Sequence, residues 1–393
     1  MESTFRCPVC KNGVERTFAE VRDVPVHVGV LWPGREEARS CRRGDIALAF
    51  CEACGFIWNV QFDPNRIDYT QRYDNALHFS SVFRAFEEGL AVRLIERFDL
   101  HGKNVVEVGA GTGHFLGLLC ARGDNTGTGY DPSHDPQHAD ALVRDRVTIV
   151  PDYFSEKYAS QGADVICCRH VLEHIQAPRP FVEMLRRCLH EDGFLYLEVP
   201  SANLVLRDLS VWDVIYEHCN HFLPETLEHL LLGAGFEVLD IAETYGGQFV
   251  GVEARAARDV SRTAEISGTL EEACARVDAF ENHLSSLRER WTEKLEALEA
   301  RAANVVIWGG GAKCVTFTSL LDAAARIPWV VDKNPNKWGT YLTGGGQEII
   351  PPEQLREINP DLVIAMNPVY TDEIRADLAK LGLSTHVENL TVP

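Results

Sequence analysis

The middle of the chain alternates amphipathic segments with short apolar runs. From Val82 to Arg97, apolar residues recur three and four positions apart, which predicts a helix. The short runs that follow are typical of strands buried on both faces of a parallel sheet. We predict strands at 103–108, up to Asp131, and at 147–150, 164–168 and 193–199, with helices at 114–122 and 181–189. This alternation predicts an α/β fold that binds ligands at the carboxyl edge of its sheet.

Two further patterns extend this region. Residues 238–243 and 249–254, joined through Tyr245-Gly-Gly247, predict an antiparallel hairpin that closes the sheet. Residues 268–301 are highly charged, with apolar positions in steps of three and four, and predict one or two long helices. Such a helix packs against its own domain or forms a coiled coil between two copies of the chain.

A second α/β pattern begins at Asn304. An apolar run at 305–308 meets three glycines and a helical segment, and a second run ends at Asp332. This is half of a Rossmann-like unit, although its glycine loop lacks the G-x-G-x-x-G spacing. We expect this domain to cover a substrate, with Lys313 available to an anionic group, or else to serve packing alone.

The first predicted strand runs into a glycine-rich turn. Gly109, Gly111 and Gly113 let the backbone approach a ligand where any Cβ would collide. The spacing is E-x-G-x-G-x-G, with Glu107 before the first glycine, and Asp131 at the end of the second strand can accept both hydroxyls of a ribose. A nicotinamide site would show different glycine spacing and a pyrophosphate at the helix start. The pattern therefore predicts S-adenosylmethionine (SAM) as the ligand.

Polar residues also follow the third and fourth strands. Asp152 and Tyr153 stand where the edge and the face of adenine usually bind in this fold. His170 and His174 are four residues apart with Glu173 beside them. That histidine pair is a candidate metal site that lacks a third ligand in sequence, and His174 is alternatively a packed residue at a helix start.

Two more clusters could carry proton transfer. After the fifth strand, the polar segment 216–221 contains Glu217 and His218. An imidazole titrates near neutrality, and an adjacent carboxylate can fix its tautomer and raise its basicity. Tyr69 and Tyr73 precede the central domain. The alternatives are a solvated polar loop for the first cluster and core tyrosines for the second.

The N-terminal region contains two C-x-x-C pairs. Cys7 and Cys10 form the first, and Cys51 and Cys54 form the second. Four thiolates on two tight turns match the tetrahedral preference of zinc, and four protein ligands leave no open position. We therefore predict a structural Zn²⁺; four unrelated core cysteines are the alternative.

Composition narrows the classes of partner and compartment. The net charge is −20, from 38 basic and 58 acidic residues, which disfavours non-specific nucleic-acid binding. No apolar run approaches the length of a membrane span, and the first residues lack the features of a signal peptide. We expect a cytoplasmic protein, a monomer or homodimer, that acts on a small molecule without nucleic-acid or membrane partners.

The arrangement as a whole resembles the three-domain sugar C-methyltransferases of antibiotic deoxysugar pathways, which act on TDP-linked 4-keto sugars. The likeness rests on the cysteine pairs, the tyrosine-rich link, the E-x-G-x-G-x-G loop, an I-Y-x-E-H-like segment and C-terminal motifs. Those motifs are Trp308–Lys313, Val331–Pro335 and Asp361–Ile364. The resemblance implies His218 as base with Glu217 as its partner, assisted by His174 and Tyr73. The segment Ile215–His221 lacks one residue that the family has before the glutamate.

The sequence thus predicts a SAM-dependent methyltransferase that methylates a carbon of a nucleotide-linked keto-sugar-like acceptor through a base-assisted enolate. Methylation of oxygen or nitrogen in another natural-product intermediate is one alternative, and a zinc-containing, SAM-binding scaffold is another. The predicted organisation is a zinc-binding module, a SAM domain, a helical linker and a C-terminal α/β domain. Their ranges are 1–66, 67–258, 259–303 and 304–393.

Overall fold

The computed structural model describes residues 5–69, 73–74, 76–143, 145–257 and 270–390 of the chain. Within these ranges the chain forms three sheets of four or more strands and a small two-stranded hairpin. The predicted domain boundary at 258 and the predicted helix start at 268 lie outside the described residues.

The described residues contain eighteen β-strands. In chain order, the described residues form β1 (Phe5–Arg6), β2 (Gly13–Val14), β3 (Thr17–Pro25), β4 (Arg43–Phe50), β5 (Ile57–Asn59), β6 (Asn104–Val108), β7 (Thr126–Tyr130), β8 (Val147–Val150), β9 (Ala163–Arg169), β10 (Leu189–Pro200), β11 (Asn220–His221), β12 (Phe236–Thr244), β13 (Phe249–Ala256), β14 (Val305–Trp308), β15 (Trp329–Val331), β16 (Glu348–Ile350), β17 (Leu362–Ala365) and β18 (His386–Asn389).

Helices connect and cover these strands. The described α-helices are α1 (Arg35–Arg39), α2 (Ser81–Phe98), α3 (His114–Gly123), α4 (Pro178–Cys188), α5 (Ala202–Leu206), α6 (Pro224–Gly233), α7 (Glu271–Ala300), α8 (Ala312–Leu320), α9 (Asp322–Ala325), α10 (Leu355–Ile358) and α11 (Thr371–Lys380). Among the described residues, no helix is long and apolar enough to cross a membrane.

The central sheet has seven strands in the order β12-β13-β10-β9-β6-β7-β8. The five strands from β10 to β8 run parallel, whereas β12 and β13 form an antiparallel hairpin that pairs with β10. The chain leaves β6 for β7 on one side and returns to β9 on the other. A crevice opens at such a switch point, beyond the carboxyl ends of the strands. The predicted α/β architecture, including the closing hairpin, is confirmed.

The N-terminal sheet has the order β11-β5-β4-β3 and is antiparallel. Its edge strand β11 comes from the segment after the central strand β10, and Asn220 pairs with Trp58. That pairing is reinforced by Thr226, whose hydroxyl donates to the carbonyl oxygen of Cys54 at 2.9 Å. Strand pairing and this hydrogen bond therefore hold the segment that contains His218 against the N-terminal sheet.

The C-terminal domain has a five-stranded parallel sheet in the order β16-β15-β14-β17-β18. The single helix α7 lies in one core with this domain and the N-terminal sheet. Phe280 packs edge-on against Phe18 of β3, and Trp291 packs against Phe317 of α8. The buried apolar side chains of α7 are Val277, Phe280, Leu284, Leu287, Trp291, Leu295 and Leu298. The apolar stripe is thus covered within the chain, as expected of a helix that packs on its own domain and not of a coiled-coil seam.

Candidate active site

A cavity of about 1250 Å³ lies at the carboxyl edge of the central sheet. One wall is the glycine loop after β6, and a second carries the tyrosine and histidine side chains predicted for chemistry. The C-terminal domain forms a third wall, which includes Trp308 and Lys313. The structure therefore brings the predicted ligand loop, the candidate catalytic groups and the second α/β domain around one space.

The glycine loop owes its shape to left-handed backbone at Gly109, Gly111 and Gly113, with φ of 77°, 52° and 84°. A Cβ on Gly109 would lie 2.3 Å from a methyl group of Val171, so the loop packs against the segment that follows β9. The Gly111 N–H donates to Oδ2 of Asp131 at 2.8 Å. Asp131 therefore sits against the loop and on the cavity wall, as predicted for a ribose-binding carboxylate.

Glu107 is buried below this loop, 3% exposed. The backbone N–H of Leu116 in α3 donates to Oε2 of Glu107 at 3.1 Å, which ties the helix start to the strand. Burial is the main cause that raises the pKa of Glu107 to about 8, against the lowering effect of Arg169. The carboxyl is thus a poorly solvated group that faces the cavity beside the loop.

Three predicted cofactor residues differ in their placement. Tyr153 is on the cavity wall and half exposed, as a stacking side chain would be. Gly113 is behind the wall as the N-cap of α3. Asp152 does not line the cavity, because its carboxylate accepts from the hydroxyl of Tyr158 at 2.7 Å and from Lys157 at 3.3 Å. These contacts lower the pKa of Asp152, the Tyr158 hydroxyl being the largest cause.

His174 and His218 form the centre of the second wall. Their rings meet edge to face with centroids 5.0 Å apart. Nδ1 of His174 lies 3.0 Å from the carbonyl oxygen of Glu217, an acceptor only, so this nitrogen carries the proton and Nε2 keeps its lone pair. The Tyr69 hydroxyl approaches the same Nδ1 at 2.9 Å. Tyr69, noted in the sequence beside Tyr73, therefore belongs to this wall.

The His218 imidazole faces the cavity without a hydrogen-bond or ion-pair partner among the described residues. Burial lowers its pKa well below the usual value near 6.5, and the neighbouring His174 lowers it further. Burial also lowers the pKa of His174. Both rings are therefore neutral at physiological pH, and His218 offers a free lone pair to a molecule in the cavity.

Glu217 has different partners from the one predicted. Its Oε1 accepts from Nδ1 of His27 at 2.7 Å, and its Oε2 accepts from the Tyr73 hydroxyl at 3.0 Å. The carboxylate is 1% exposed and points away from the cavity. Glu217 thus orients Tyr73 and His27, and only its backbone carbonyl reaches the histidine pair. Burial, followed by the charge of Glu217, raises the pKa of Tyr73 well above 10, so the phenol stays protonated.

The structure does not group His170 with His174 as the predicted metal pair; it places Glu173 beside His174 and His218 instead. The Glu173 carboxyl is 2% exposed, and both oxygens lack a hydrogen-bond partner among the described residues. One ligand atom each from Glu173, His174 and His218 lies within 4.8 Å of the others. Burial raises the pKa of Glu173 to about 8. The trio is consequently a candidate metal site or a neutral hydrogen-bonding group on the cavity wall.

A buried ion-pair network supports the wall next to the glycine loop. Arg169, at the end of β9, donates to Glu87 of α2 at 2.9 Å and to Glu198 of β10 at 3.0 Å. All three side chains are at most 7% exposed. The only sequence signal for this network was an arginine next to His170 at a strand end. Its effect is to fix the loop that carries His170 and His174.

The cysteine pairs come together at the far end of the N-terminal module. Sγ of Cys7 is 3.6 Å from Sγ of Cys54, and Sγ of Cys10 is 3.5 Å from Sγ of Cys51. All four sulfurs lie within 4.8 Å of one another. Each pair sits on a tight turn closed by backbone hydrogen bonds to Cys7 and Cys51.

The C-terminal wall repeats the loop geometry of the central domain. The Gly310 N–H donates to Oδ2 of Asp332 at 2.9 Å, as Gly111 does to Asp131. Lys337 is buried across this loop and donates to the Gly310 carbonyl at 3.0 Å. Lys313, expected to be available to an anion, is paired with Asp213 in this structure.

Comparison with known proteins agrees with this geometry. Residues 83–241 match the methyltransferase domain family, and residues 243–385 match the C-methyltransferase C-terminal domain family. C-methyltransferase NovU of Streptomyces niveus is 26% identical over 301 residues, which cover 71% of this chain and 70% of NovU.

Two solved methyltransferases are among the structures to which part of this chain is similar. One is the 1,6-didemethyltoxoflavin-N1-methyltransferase of Burkholderia thailandensis, solved with bound 1,6-didemethyltoxoflavin and S-adenosylhomocysteine. It is 17% identical with a TM-score of 0.36, and the match covers 48% of this chain and 94% of that enzyme. Magnesium protoporphyrin IX methyltransferase of Synechocystis PCC 6803 is 16% identical with a TM-score of 0.37, covering 45% and 84%.

The seven-stranded sheet, the glycine loop with its carboxylate and the family matches define a SAM-dependent methyltransferase. More particularly, the chain joins a methyltransferase domain to the C-terminal domain of C-methyltransferases, as the sequence resemblance predicted.

Replacing Glu107 by glutamine is expected to stabilise the ligand-free protein at alkaline pH while weakening SAM binding. The folded pKa of about 8 exceeds the ordinary 4.5. The free energy of unfolding is therefore highest below the ordinary pKa and falls as the pH rises towards 8. The loss is about 1.4 kcal/mol for each unit by which the folded pKa exceeds the ordinary one. Thermal denaturation should show a higher Tm for Glu107→Gln near about pH 8 and little difference near about pH 5. Parallel pH dependence of the two proteins would contradict this account of Glu107.

Proposed function

We propose that this enzyme transfers a methyl group from SAM to a carbon next to a ketone in a small, nucleotide-linked, keto-sugar-like acceptor. The observation that carries the proposal is the unpartnered, neutral imidazole of His218 on the wall of a cavity shared with the glycine loop. The C-methyltransferase C-terminal domain and the likeness to NovU support carbon as the methylated atom. The cavity volume of about 1250 Å³ leaves room for an acceptor as well as SAM.

SAM supplies an electrophilic methyl group on a sulfonium, so the protein's task is to make the acceptor carbon nucleophilic and to align it. His218 takes the proton from that carbon, and the C–H electron pair moves into an enolate. The enolate carbon then forms the new bond to the methyl group, whose old bond electrons stay with sulfur. Tyr73 lies on the same wall, where a hydrogen-bond donor stabilises enolate oxygen. His174 does not serve as that donor, because its Nδ1 proton goes to the Glu217 carbonyl and its Nε2 is an acceptor. The Tyr73 phenol stays protonated and donates that proton to Glu217 in this structure, so its hydroxyl would turn from Glu217 to the enolate oxygen during the reaction.

The glycine loop and Asp131 would hold SAM, with Glu107 behind the loop and Tyr153 beside the adenine. Asp152 would contribute only after its carboxylate leaves Tyr158. Among the C-terminal residues, Lys313 and Lys333 line the cavity and would meet the phosphates of a nucleotide-linked acceptor by exchanging their present carboxylate partners.

The four cysteines fit a structural zinc ion. With Zn–S bonds of about 2.3 Å, tetrahedral geometry places neighbouring sulfurs about 3.8 Å apart. Two of the Sγ separations are 3.5 and 3.6 Å and all lie within 4.8 Å, so small adjustments suffice. The Asn12 amide also lies 3.2 Å from Sγ of Cys10, as expected for a donor to a metal-bound thiolate. This cluster would stabilise the N-terminal module and take no part in methyl transfer.

The function is tested by mass spectrometry of reactions with SAM and TDP-4-keto-6-deoxyglucose, run in H2O and in D2O. The expected product is about 14 mass units heavier. Each carbon next to the ketone has a single hydrogen, which the methyl group replaces, so reversible deprotonation shows as deuterium in the recovered acceptor and not at the methylated carbon. Methylation of an oxygen or nitrogen, without exchange of a carbon-bound hydrogen, would instead support the alternative of an O- or N-methyltransferase. SAM binding without turnover of any keto sugar would remove this acceptor class and direct the search to other small-molecule acceptors.

We expect kcat/KM to fall on acidification only below the ordinary histidine pKa of about 6.5. The base must be neutral, and burial lowers the pKa of His218. Protonation therefore inactivates the enzyme at a lower pH than it would for a solvent-exposed histidine, whose pKa is about 6.5. A rate profile through the acidic range checks this, with SAM saturation confirmed at each pH. An acidic limb centred at or above about 6.5 would assign the base to another group.

A further inference from the structure

His27 belongs to the N-terminal module, yet its side chain lies beside the proposed active site. It lies two residues after the end of β3 and is 5% exposed. The backbone N–H of Asp68 donates to Nε2 at 3.1 Å, so this nitrogen is an acceptor and the proton of the neutral ring sits on Nδ1. Nδ1 then donates to Oε1 of Glu217 at 2.7 Å. Both ring nitrogens are used, and one tautomer and one ring orientation are fixed.

The contact continues from Glu217 to the cavity. Oε2 of the same carboxylate accepts from the hydroxyl of Tyr73 at 3.0 Å, and Tyr73 lines the cavity. His27 also packs edge to face against Tyr69, with ring centroids 5.6 Å apart, and Tyr69 contacts His174. One histidine is therefore connected to both tyrosines on the wall that faces the acceptor.

The backbone after His27 holds the same tyrosine. Val30 forms an antiparallel bridge with Tyr73, and the Asp74 N–H donates to the Gly29 carbonyl at 2.9 Å. A Cβ on Gly29 would lie 2.6 Å from the Tyr73 ring, so glycine is required for the ring to rest there. The module thus fixes the main chain, the ring and, through Glu217, the hydroxyl of Tyr73.

We propose that His27 is a positioning residue for methyl transfer, which acts through Glu217 to hold the Tyr73 hydroxyl at the cavity wall, from where it turns to the acceptor oxygen. This inference rests on the proposed function. A buried carboxylate needs its donors, and His27 supplies one of the two side-chain hydrogen bonds to Glu217 among the described residues. Without His27, Glu217 is free to turn and takes the Tyr73 hydroxyl with it. The cysteine-bearing module would then contribute to the active site as well as to folding.

Three variants test this role: His27→Phe, which keeps ring shape without hydrogen bonds, His27→Asn, which keeps a donor, and Tyr73→Phe. We expect His27→Phe to lower kcat about 10- to 100-fold, the scale of one hydrogen bond to a buried charge, with unchanged SAM affinity. His27→Asn should recover a large part of the loss. In a double variant, His27→Phe should add little to Tyr73→Phe, because both remove the same hydroxyl's action. A fully additive double variant, or wild-type kcat in His27→Phe, would overturn the proposal.

A second measurement does not depend on the acceptor. Crystal structures of wild type and His27→Phe should show the Tyr73 hydroxyl displaced from Glu217 in the variant, with the glycine loop unchanged. An undisplaced Tyr73 would overturn the positioning role even if no acceptor has been found. Failure of the wild-type enzyme to methylate any keto sugar, together with a displaced Tyr73, would instead count against the proposed function while supporting the His27 contact.

Discussion

Replacing His218 by asparagine is expected to lower kcat by about 10²- to 10⁴-fold, the usual contribution of a general base, while SAM affinity stays within a few-fold of wild type. The reason is that the ring lies on the cavity wall with its lone pair free, on a different segment from the loop that would hold SAM. Asparagine keeps a polar group of similar length and cannot take the proton. Single-turnover rates with saturating SAM, and calorimetric titration of SAM, separate the two effects.

The matched control is His386→Asn, at an exposed position in β18 of the C-terminal domain. It should leave kcat unchanged. An active His218→Asn enzyme would move the role of base elsewhere on the wall, to His174 or to a phenol. A variant that loses SAM binding along with turnover would show that His218 holds the fold of the site.

Loss of the cysteine cluster is expected to have the largest effect on stability. Structural zinc contributes about 10–16 kcal/mol of binding free energy in small zinc domains, more than the burial of a few apolar side chains supplies. Cys54→Ser should therefore lose zinc and unfold the N-terminal sheet. Turnover should be abolished as well, because β11 is an edge strand of that sheet and His27, which contacts Glu217, lies beside it. Metal analysis, circular dichroism and limited proteolysis are the measurements.

Cys274→Ser is the control, since that thiol is half-buried and lies outside the cluster. Wild type and control should each contain one zinc ion per chain. A stable, metal-free wild type would contradict the zinc assignment. A second equivalent of metal that disappears in Glu173→Gln would place a metal at the Glu173–His174–His218 trio and exclude His218 as a free base.

The central domain was predictable because its signals are local. Each parallel strand is an apolar run, and each glycine of the loop has a backbone conformation that favours glycine. Asp131 was found because it ends the strand next to the loop, and adjacent parallel strands end at one edge. The domain boundaries remain predictions.

The proton-transfer wall was only partly predictable. Glu217 and His218 are neighbours in sequence, but consecutive side chains in this turn face different partners, so the carboxylate meets His27 and Tyr73 instead. His27 carries no motif and lies 190 positions from Glu217, so only the folded chain reveals the contact. The strands β3 and β4 between the cysteine pairs were also missed, since the cysteine spacing dominated the interpretation of that segment.

Carbon-13 NMR of the product tests the central claim most directly. The enzyme would be incubated with SAM labelled at the methyl carbon and with the TDP-linked 4-keto sugar. The account predicts a labelled methyl group bonded to carbon, next to the ketone, formed by wild type and the His386→Asn control but not by His218→Asn. A labelled methyl group on oxygen or nitrogen, or one formed equally well without His218, would contradict it.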